Sequence, residues 1–293
     1  MGIHHKWALM ACLALVGSPA IATAGEPAPE PLETVTTMHV DGQILIDTEG
    51  RVESFEVATK LAEPLQAALL KLVKQWRFNP VMVDGVARRA GARMRVVLAA
   101  AREGDGYRVH IDNVVFPYDK EFEPSTVVDP EHITGRQLDR PTYPIVLQMH
   151  AVEGTVLLAI LVSPDGRASE VTALQSMLFD VRGNDKAMRK AIALMETSAR
   201  MTARRWKFNV PPTKQGAPLS ERTVFVPVEY VMEAEVAPGQ WRTVVRVPKR
   251  QIQWLPESDP ARGVGVADIT SGEVIPLAGS LSLAIPVIGS PVM

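Results

Sequence analysis

The sequence predicts an α+β fold in which one order of elements occurs twice along the chain. Each time, two strand-like runs flank a tight turn, an amphipathic helix follows, and a further strand-like run closes the unit, first within residues 33–101 and again within 154–230. Prolines number 23 among 293 residues, which is more than average and favours short strands and loops over a helical bundle. Together these observations indicate small sheets packed against few helices.

Composition limits the classes of function. Hydrophobic residues make up 46% of the chain and charged residues 22%, which is typical of a soluble globular protein and excludes a disordered chain or a polytopic membrane protein. Lys and Arg total 31 against 33 Asp and Glu, for a net charge of −2. Since binding to a phosphate backbone requires a basic excess, nucleic acid is not expected as a partner.

The N-terminus predicts an export signal. Residues 7–16 form an apolar run that is too short to span a bilayer, and Ala22-Thr23-Ala24 then supplies the small-x-small pattern of a signal-peptidase site. Cleavage of residues 1–24 would leave a periplasmic protein that begins at Gly25, with a short Pro-rich leader over residues 25–32.

Two other interpretations of the N-terminus stay open. Residues 7–24 could remain as an uncleaved inner-membrane anchor, and Cys12 could mark a lipoprotein site. Cys12 is the only cysteine in the chain, so a protein cleaved after Ala24 would contain neither a disulfide nor a thiol catalyst.

The first unit is predicted from its turn and its helical period. Gly50 closes a turn between two alternating runs, and apolar residues then recur at helical spacing. The predicted elements are strands at 38–47 and 51–57, a helix at 63–75, a closing strand at 92–100 and a further strand at 107–116.

The second unit repeats this order about 120 residues later. Its turn contains Pro164 and Gly166. The predicted elements are strands at 154–162 and 167–176, a helix at 185–205 and a closing strand at 222–230. Aligning Gly50 with Gly166 pairs Ile44 with Ile160, and Trp76-Arg77-Phe78 independently matches Trp206-Lys207-Phe208. Two separate matches in one order indicate an internal repeat. We expect Trp76 and Trp206 to be core anchors rather than ligand-stacking platforms.

These residues resemble the C-terminal domain of the energy-transducing TonB family. The motifs that carry the resemblance stand in the family's order: Tyr143-Pro144, Glu153-Gly154-Thr155-Val156, Asp165-Gly166-Arg167, Ser176, Trp206-Lys207-Phe208, Gly216 and a final strand. The similarity is clear over residues 141–232 and degenerate over 33–101, where the Tyr-Pro segment is missing and the stretch from Gly50 to Trp76 is 14 residues shorter than its counterpart.

The resemblance implies two α+β domains, each a small antiparallel sheet with helices packed on one face. They are expected at residues 33–129 and 130–233, followed by an extended C-terminal tail of unknown role at 234–293. Within this tail, residues 241–248 alternate like a strand.

The resemblance also implies protein binding by addition of a partner's extended segment to a sheet edge. Pro227 cannot donate to a ladder, so the strand that contains it is expected at an edge or at a bulge. The expected partner-binding residues are Tyr143 and Pro144 in the Tyr-Pro segment, and Thr223, Val224, Phe225, Val226, Val228 and Tyr230 in the strand. The alternative is that Pro227 only protects the edge from aggregation.

The function expected on this basis is a periplasmic protein-binding module for an envelope partner, such as an outer-membrane receptor peptide in TonB-dependent transport. A structural or envelope-assembly protein that reuses the fold is the alternative, since a fold does not establish a function. A homodimer is a further arrangement left open. No enzyme activity, metal or cofactor is expected, because the histidines are scattered and nucleophile, P-loop and dinucleotide motifs do not occur.

Overall fold

A computed structural model describes residues 30–83, 85–116, 133–211, 222–232, 237–255, 274–276 and 281–293. Residues from Pro31 to Met293 form one compact unit. The predicted signal, its two alternatives and most of the Pro-rich leader lie outside the described residues, as does the expected domain boundary near residue 130. Among the residues that are described, no helix has the length and apolar character needed to cross a membrane.

The first half of the described chain begins with a long strand and contains one helix. Its elements are β1 (Glu33–Ile46), β2 (Val52–Val57), α1 (Glu63–Val73), β3 (Val81–Val83), β4 (Val86–Arg88), β5 (Ala90–Glu103) and β6 (Gly106–Val115). The predicted helix at 63–75 and the strands at 107–116 and 92–100 correspond to α1, β6 and β5. Pro64 stands in the first turn of α1, where its missing N–H costs no helical hydrogen bond.

The second half repeats the order and adds a short strand and helix in front. Its elements are β7 (Thr134–Gln137), α2 (Ile145–Met149), β8 (Gly154–Val162), β9 (Ala168–Phe179), α3 (Asp185–Ala203), β10 (Lys207–Asn209) and β11 (Arg222–Tyr230). The Asn184 side chain accepts a hydrogen bond from the Ala187 N–H and so caps the start of α3. The helix predicted at 185–205 is therefore confirmed as α3.

Two strands come from the segment expected to be a tail: β12 (Arg242–Arg246) and β13 (Ile275–Pro276). The main sheet runs in the order β13-β11-β8-β9-β12-β1-β5-β6, with β2 also paired to β1, and every pairing in it is antiparallel. The strand expected within 241–248 is β12, which lies in the middle of this sheet between β9 and β1. The α+β class is confirmed as a mainly antiparallel sheet with a few helices.

The buried residues form three clusters. One cluster joins α3 to β8 and β11, and a second joins α1 to β1 and β5. Since side chains alternate between the faces of a strand, the third cluster, which contains Leu157, Phe179, Phe225 and Val244, lies on the opposite face of the sheet. Val115 of β6 also belongs to this third cluster, so the cluster draws on strands near both ends of the sheet order.

The turn and the Trp-x-Phe motif meet in the same way in both halves. The Gly50 carbonyl accepts a 2.8 Å hydrogen bond from the Phe78 N–H, and the Gly166 carbonyl accepts one of 2.8 Å from Phe208. Both glycines have positive φ, 76° and 81°. A Cβ on Gly50 would collide with the Phe78 carbonyl oxygen, and one on Gly166 with that of Phe208. At each of the two positions glycine is therefore required for two reasons: the backbone has positive φ, and a neighbouring carbonyl lies too close for a Cβ.

We predict that Gly50→Ala and Gly166→Ala each lower the free energy of unfolding by about 3 kcal/mol, the sum of a left-handed backbone and an overpacked contact. Gly85→Ala is the matched control, because Gly85 also has positive φ, 77°, but its Cβ would meet nothing within 4 Å. That control should lose only about 1 kcal/mol. Urea denaturation measures all three; equal losses in the three variants would contradict the close-approach argument.

Trp76 and Trp206 are core residues, with 2% and 3% of their surface exposed. We predict that Trp76→Ala and Trp206→Ala each destabilise the protein by about 3–5 kcal/mol, because each leaves a large cavity. Trp241→Ala serves as the control, since Trp241 is 41% exposed. Thermal melts would reveal the differences, and a core variant that melts like the control would show that the cavity costs nothing.

Candidate partner-binding surface

Strand β11 lies next to the end of the sheet order. On one side it pairs with β8 along its whole length, from Arg222 opposite Val162 to Tyr230 opposite Gly154. On its other side, within the described residues, it pairs only with β13, at Val224 and Phe225. Among the described strands, β13 therefore covers only two of the nine residues of β11 on this side.

Pro227 fixes which backbone groups of β11 face outward. The β8–β11 register contains no shift, and Pro227 stands opposite Leu157 within it. Because proline has no N–H, this uninterrupted ladder requires Pro227 at a position whose backbone groups point away from β8. Backbone direction alternates along a strand, so Phe225 and Glu229 also point outward while Val226 and Val228 point toward β8.

The side chains of β11 are mostly buried. Val224, Val226, Val228 and Tyr230 belong to the cluster beneath α3. Thr223 is also buried, and its hydroxyl accepts a 3.0 Å hydrogen bond from the Trp254 indole N–H. A partner at this edge would therefore meet mainly backbone groups rather than the predicted side chains.

Tyr143 holds the Tyr-Pro segment against the end of β11. Its hydroxyl donates to the Val152 carbonyl at 2.9 Å and to the Tyr230 carbonyl at 3.3 Å. The two tyrosine rings meet edge to face, with centroids 5.4 Å apart. Pro144 is the N-cap residue of α2. These two predicted site residues are thus brought to the C-terminal end of β11, where Tyr143 positions the segment.

Four exposed apolar residues, none of them predicted, lie in α2 and directly after β11. Ile145 and Met149 of α2 are 72% and 77% exposed, and Val231 and Met232, which follow β11, are also exposed. The Met232 N–H donates to the Glu153 carboxylate at 2.6 Å, which ties the end of β11 to the start of β8. A five-residue helix is too short to show a helical period, so the exposure of Ile145 and Met149 could not be predicted.

A buried polar cluster connects the segment after β12 to the second half. The Arg250 guanidinium and the Ser176 hydroxyl both donate to Glu196 Oε1, each at 2.7 Å. Glu196 lies on α3 and is 8% exposed. Pairing with a cation and a hydroxyl is what such a buried carboxylate requires. This cluster therefore fixes residues 247–255 to the fold and has no geometry that indicates catalysis.

Within the described ranges, no group of three or more His, Cys, Asp or Glu side chains could hold a metal ion. His39, His110 and His150 are among the scattered histidines that these ranges include.

The family model described as the Gram-negative bacterial TonB protein C-terminal matches residues 38–97. The chain therefore contains a TonB C-terminal domain, which runs from β1 into β5 and covers about a fifth of the sequence. Domains of this family are non-enzymatic modules that interact with envelope proteins. No curated protein and no solved structure matches the chain.

The match confirms the predicted resemblance at one of its two copies. Similarity was expected to be clear at 141–232 and degenerate at 33–101, and the family match falls within the latter. The match thus supports a TonB C-terminal domain at residues 38–97, and the assignment of the second half to the same family stays a prediction.

The two tyrosines at the end of β11 predict a stability loss at alkaline pH. Desolvation raises the pKa of Tyr143 and of Tyr230 from 10.0 to about 12, with Glu153 contributing at Tyr143. Because the folded pKa exceeds the unfolded value, their contribution to stability is complete below pH 10 and is lost as the pH rises from about 10 to about 12.

Urea denaturation at several pH values between 9 and 12 would measure this loss. Tyr143→Phe and Tyr230→Phe should each show a shallower decline than the wild type. Tyr107→Phe is the control, since Tyr107 is 69% exposed, and it should decline like the wild type. If stability declined equally with pH in all four proteins, Tyr143 and Tyr230 would not be the cause of the loss.

Proposed function

We propose that the protein is an envelope protein-binding module that takes an extended segment of a partner as an added strand on the outer side of β11. The observation that carries this proposal is that, on the side away from β8, β11 already accepts a strand, β13, and that among the described strands this pairing covers only Val224 and Phe225. In strand addition the backbone supplies much of the affinity. This mode suits β11, whose side chains are mostly buried.

The first half supports the same mode of binding. There β5 holds the position that β11 holds in the second half, and its outer side pairs with β6 at nine positions, from Arg95 to Glu103. We regard the two halves as two copies of one domain, in line with their equivalent turns and Trp-x-Phe joints. On this interpretation the chain fills the edge of the first copy itself and leaves most of the second for a partner.

The family match supports an envelope location, and we propose that the mature protein is periplasmic after cleavage of residues 1–24. An outer-membrane receptor peptide in TonB-dependent transport is the partner that the family relationship favours. Val231 and Met232, which directly follow β11, are exposed and would add apolar area at the end of the paired strand. A protein anchored through residues 7–24, and a homodimer, are the alternatives.

A structural or envelope-assembly role is the second candidate. The observation that favours it is β13, a strand of the same chain that already occupies part of the β11 edge. In that case β13 and Pro227 together would serve to protect the edge from association.

Proline substitutions at neighbouring positions distinguish these functions. Glu229→Pro removes an N–H on the side away from β8, so it should abolish recovery of the envelope partner while the β8–β11 ladder is kept. Val228→Pro removes an N–H that points toward β8, so it should damage the sheet itself. Glu229→Ala is the matched control, because it removes the side chain and keeps the N–H, and it should bind normally.

Co-purification from envelope extracts, quantified by mass spectrometry beside a thermal melt of each variant, provides the measurement. A Glu229→Pro protein that stays folded and recovers the same partner at wild-type levels would contradict strand addition at β11. A wild-type protein that recovers no envelope partner would favour the structural role.

A further inference from the structure

Residues 281–284 pair with the Trp-x-Phe joint of the first half. Phe78 pairs with Leu283, the Asn79 N–H donates to the Ser282 carbonyl at 2.9 Å, and the Ala284 N–H donates to the Arg77 carbonyl at 2.8 Å. The Asn79 side-chain amide also donates to the Ser282 hydroxyl at 2.9 Å. Leu281 is buried in the cluster beneath α1.

In the second half, β7 makes the same contacts. Phe208 pairs with Gly135 and Asn209 with Thr134, and the Asn209 amide donates to the Thr134 hydroxyl at 3.2 Å. Ile133, directly before Thr134, is buried in the cluster beneath α3, as Leu281 is beneath α1. Leu281-Ser282 of the distant segment thus replaces the Ile133-Thr134 pair, an aliphatic residue followed by a hydroxyl residue.

The same distant segment continues along the edge of the sheet. The Gly289 N–H donates to the Ile111 carbonyl at 2.7 Å, and the Val292 N–H donates to the Val109 carbonyl at 2.8 Å. Residues 281–293 therefore bind the first half as an extended peptide would, through backbone hydrogen bonds and buried aliphatic side chains.

One contact of the second half is missing from the first. The Trp206 indole N–H donates to the Asp139 carbonyl at 2.8 Å. The equivalent Trp76 indole N–H is buried, since Trp76 is 2% exposed, and it has no hydrogen-bond partner among the described residues. A buried donor without an acceptor destabilises the structure, so residues 281–293 fill this site incompletely.

We infer that the Trp76–Asn79 joint of the first half is a peptide-binding site, separate from the β11 edge. The best ligand for this site is an extended segment in which an aliphatic residue is followed by Ser or Thr. Five residues after that Ser or Thr, a backbone carbonyl accepts a hydrogen bond from the Trp76 indole N–H. The segment 133–139 has this pattern, with Ile133, Thr134 and the Asp139 carbonyl. Residues 281–293 occupy the site until such a segment displaces them.

A labelled peptide of sequence ITGRQLDR, residues 133–140, is the probe, titrated into the full chain by fluorescence anisotropy. Leu281→Asp weakens the resident segment and should lower the Kd for the probe about tenfold or more. Ile288→Asp is the matched control, because Ile288 lies in the same segment but is 48% exposed, and it should bind like the wild type. A probe with Thr134→Ala should bind about fivefold more weakly, the usual effect of losing one hydrogen bond.

A second readout separates specific binding from non-specific association. The NMR resonance of the Trp76 indole N–H, assigned with Trp76→Phe, should move downfield on addition of the probe as the donor gains an acceptor. Where Leu281→Asp fails to fold, a protease site placed within residues 277–280 and cut after folding frees the resident segment without a core substitution.

Several results would overturn the inference. One is a probe that binds no more tightly after the resident segment has been weakened or cut. Another is a Thr134→Ala probe that binds equally well, and a third is a Trp76 indole resonance that does not move at saturating probe.

Discussion

Strand β12 is hydrogen-bonded on both sides, and the single sheet depends on this pairing. Three of its residues pair with β9 of the second half and five pair with β1 of the first. Arg246 reinforces the junction, because its guanidinium donates to Glu33 at 2.9 Å and to Asp112 at 2.7 Å. Burial alone would lower the pKa of Arg246, but these two carboxylates outweigh it and raise the pKa, so the cation is held in place. Removing β12 would expose the facing edges of β9 and β1.

The later part of the chain therefore completes both halves. Beyond β12, the chain pairs with β11 through β13 and with the first half through residues 281–293. Sheet edges invite association with other chains unless they are covered. Within the described chain, residues 289–293 cover part of the edge of the first half, and β13 covers β11 at two positions.

The sequence was informative where the signal is local. The positive φ of Gly50 and Gly166, the helical period before Trp76 and Trp206, and the burial of both tryptophans all follow from short-range patterns. The partner of β12 could not be predicted, because a five-residue strand carries no information on which distant edges it joins. The same holds for Ser282 and Asn79, which are 203 residues apart.

At the candidate site, too, local patterns were predictable and long-range contacts were not. Pro227 predicted that its strand lies at an edge or at a bulge; the ladder with β8 contains no bulge, and β11 is the second strand of the sheet order, with β13 outside it at two positions. The role of Tyr143 depends on contacts with Val152 and Tyr230, and its hydroxyl points inward to their carbonyls. The family match on residues 38–97 falls within the copy predicted at 33–101, which had seemed the weaker of the two because it lacks the Tyr143-Pro144 motif of the second half.

Differential scanning calorimetry of the full chain tests the central claim most directly, namely that β12 makes both halves parts of one sheet. A shared sheet should unfold in one transition whose calorimetric and van't Hoff enthalpies agree. Two separate transitions, or a calorimetric enthalpy about twice the van't Hoff value, would contradict it, because the halves would then unfold as independent domains.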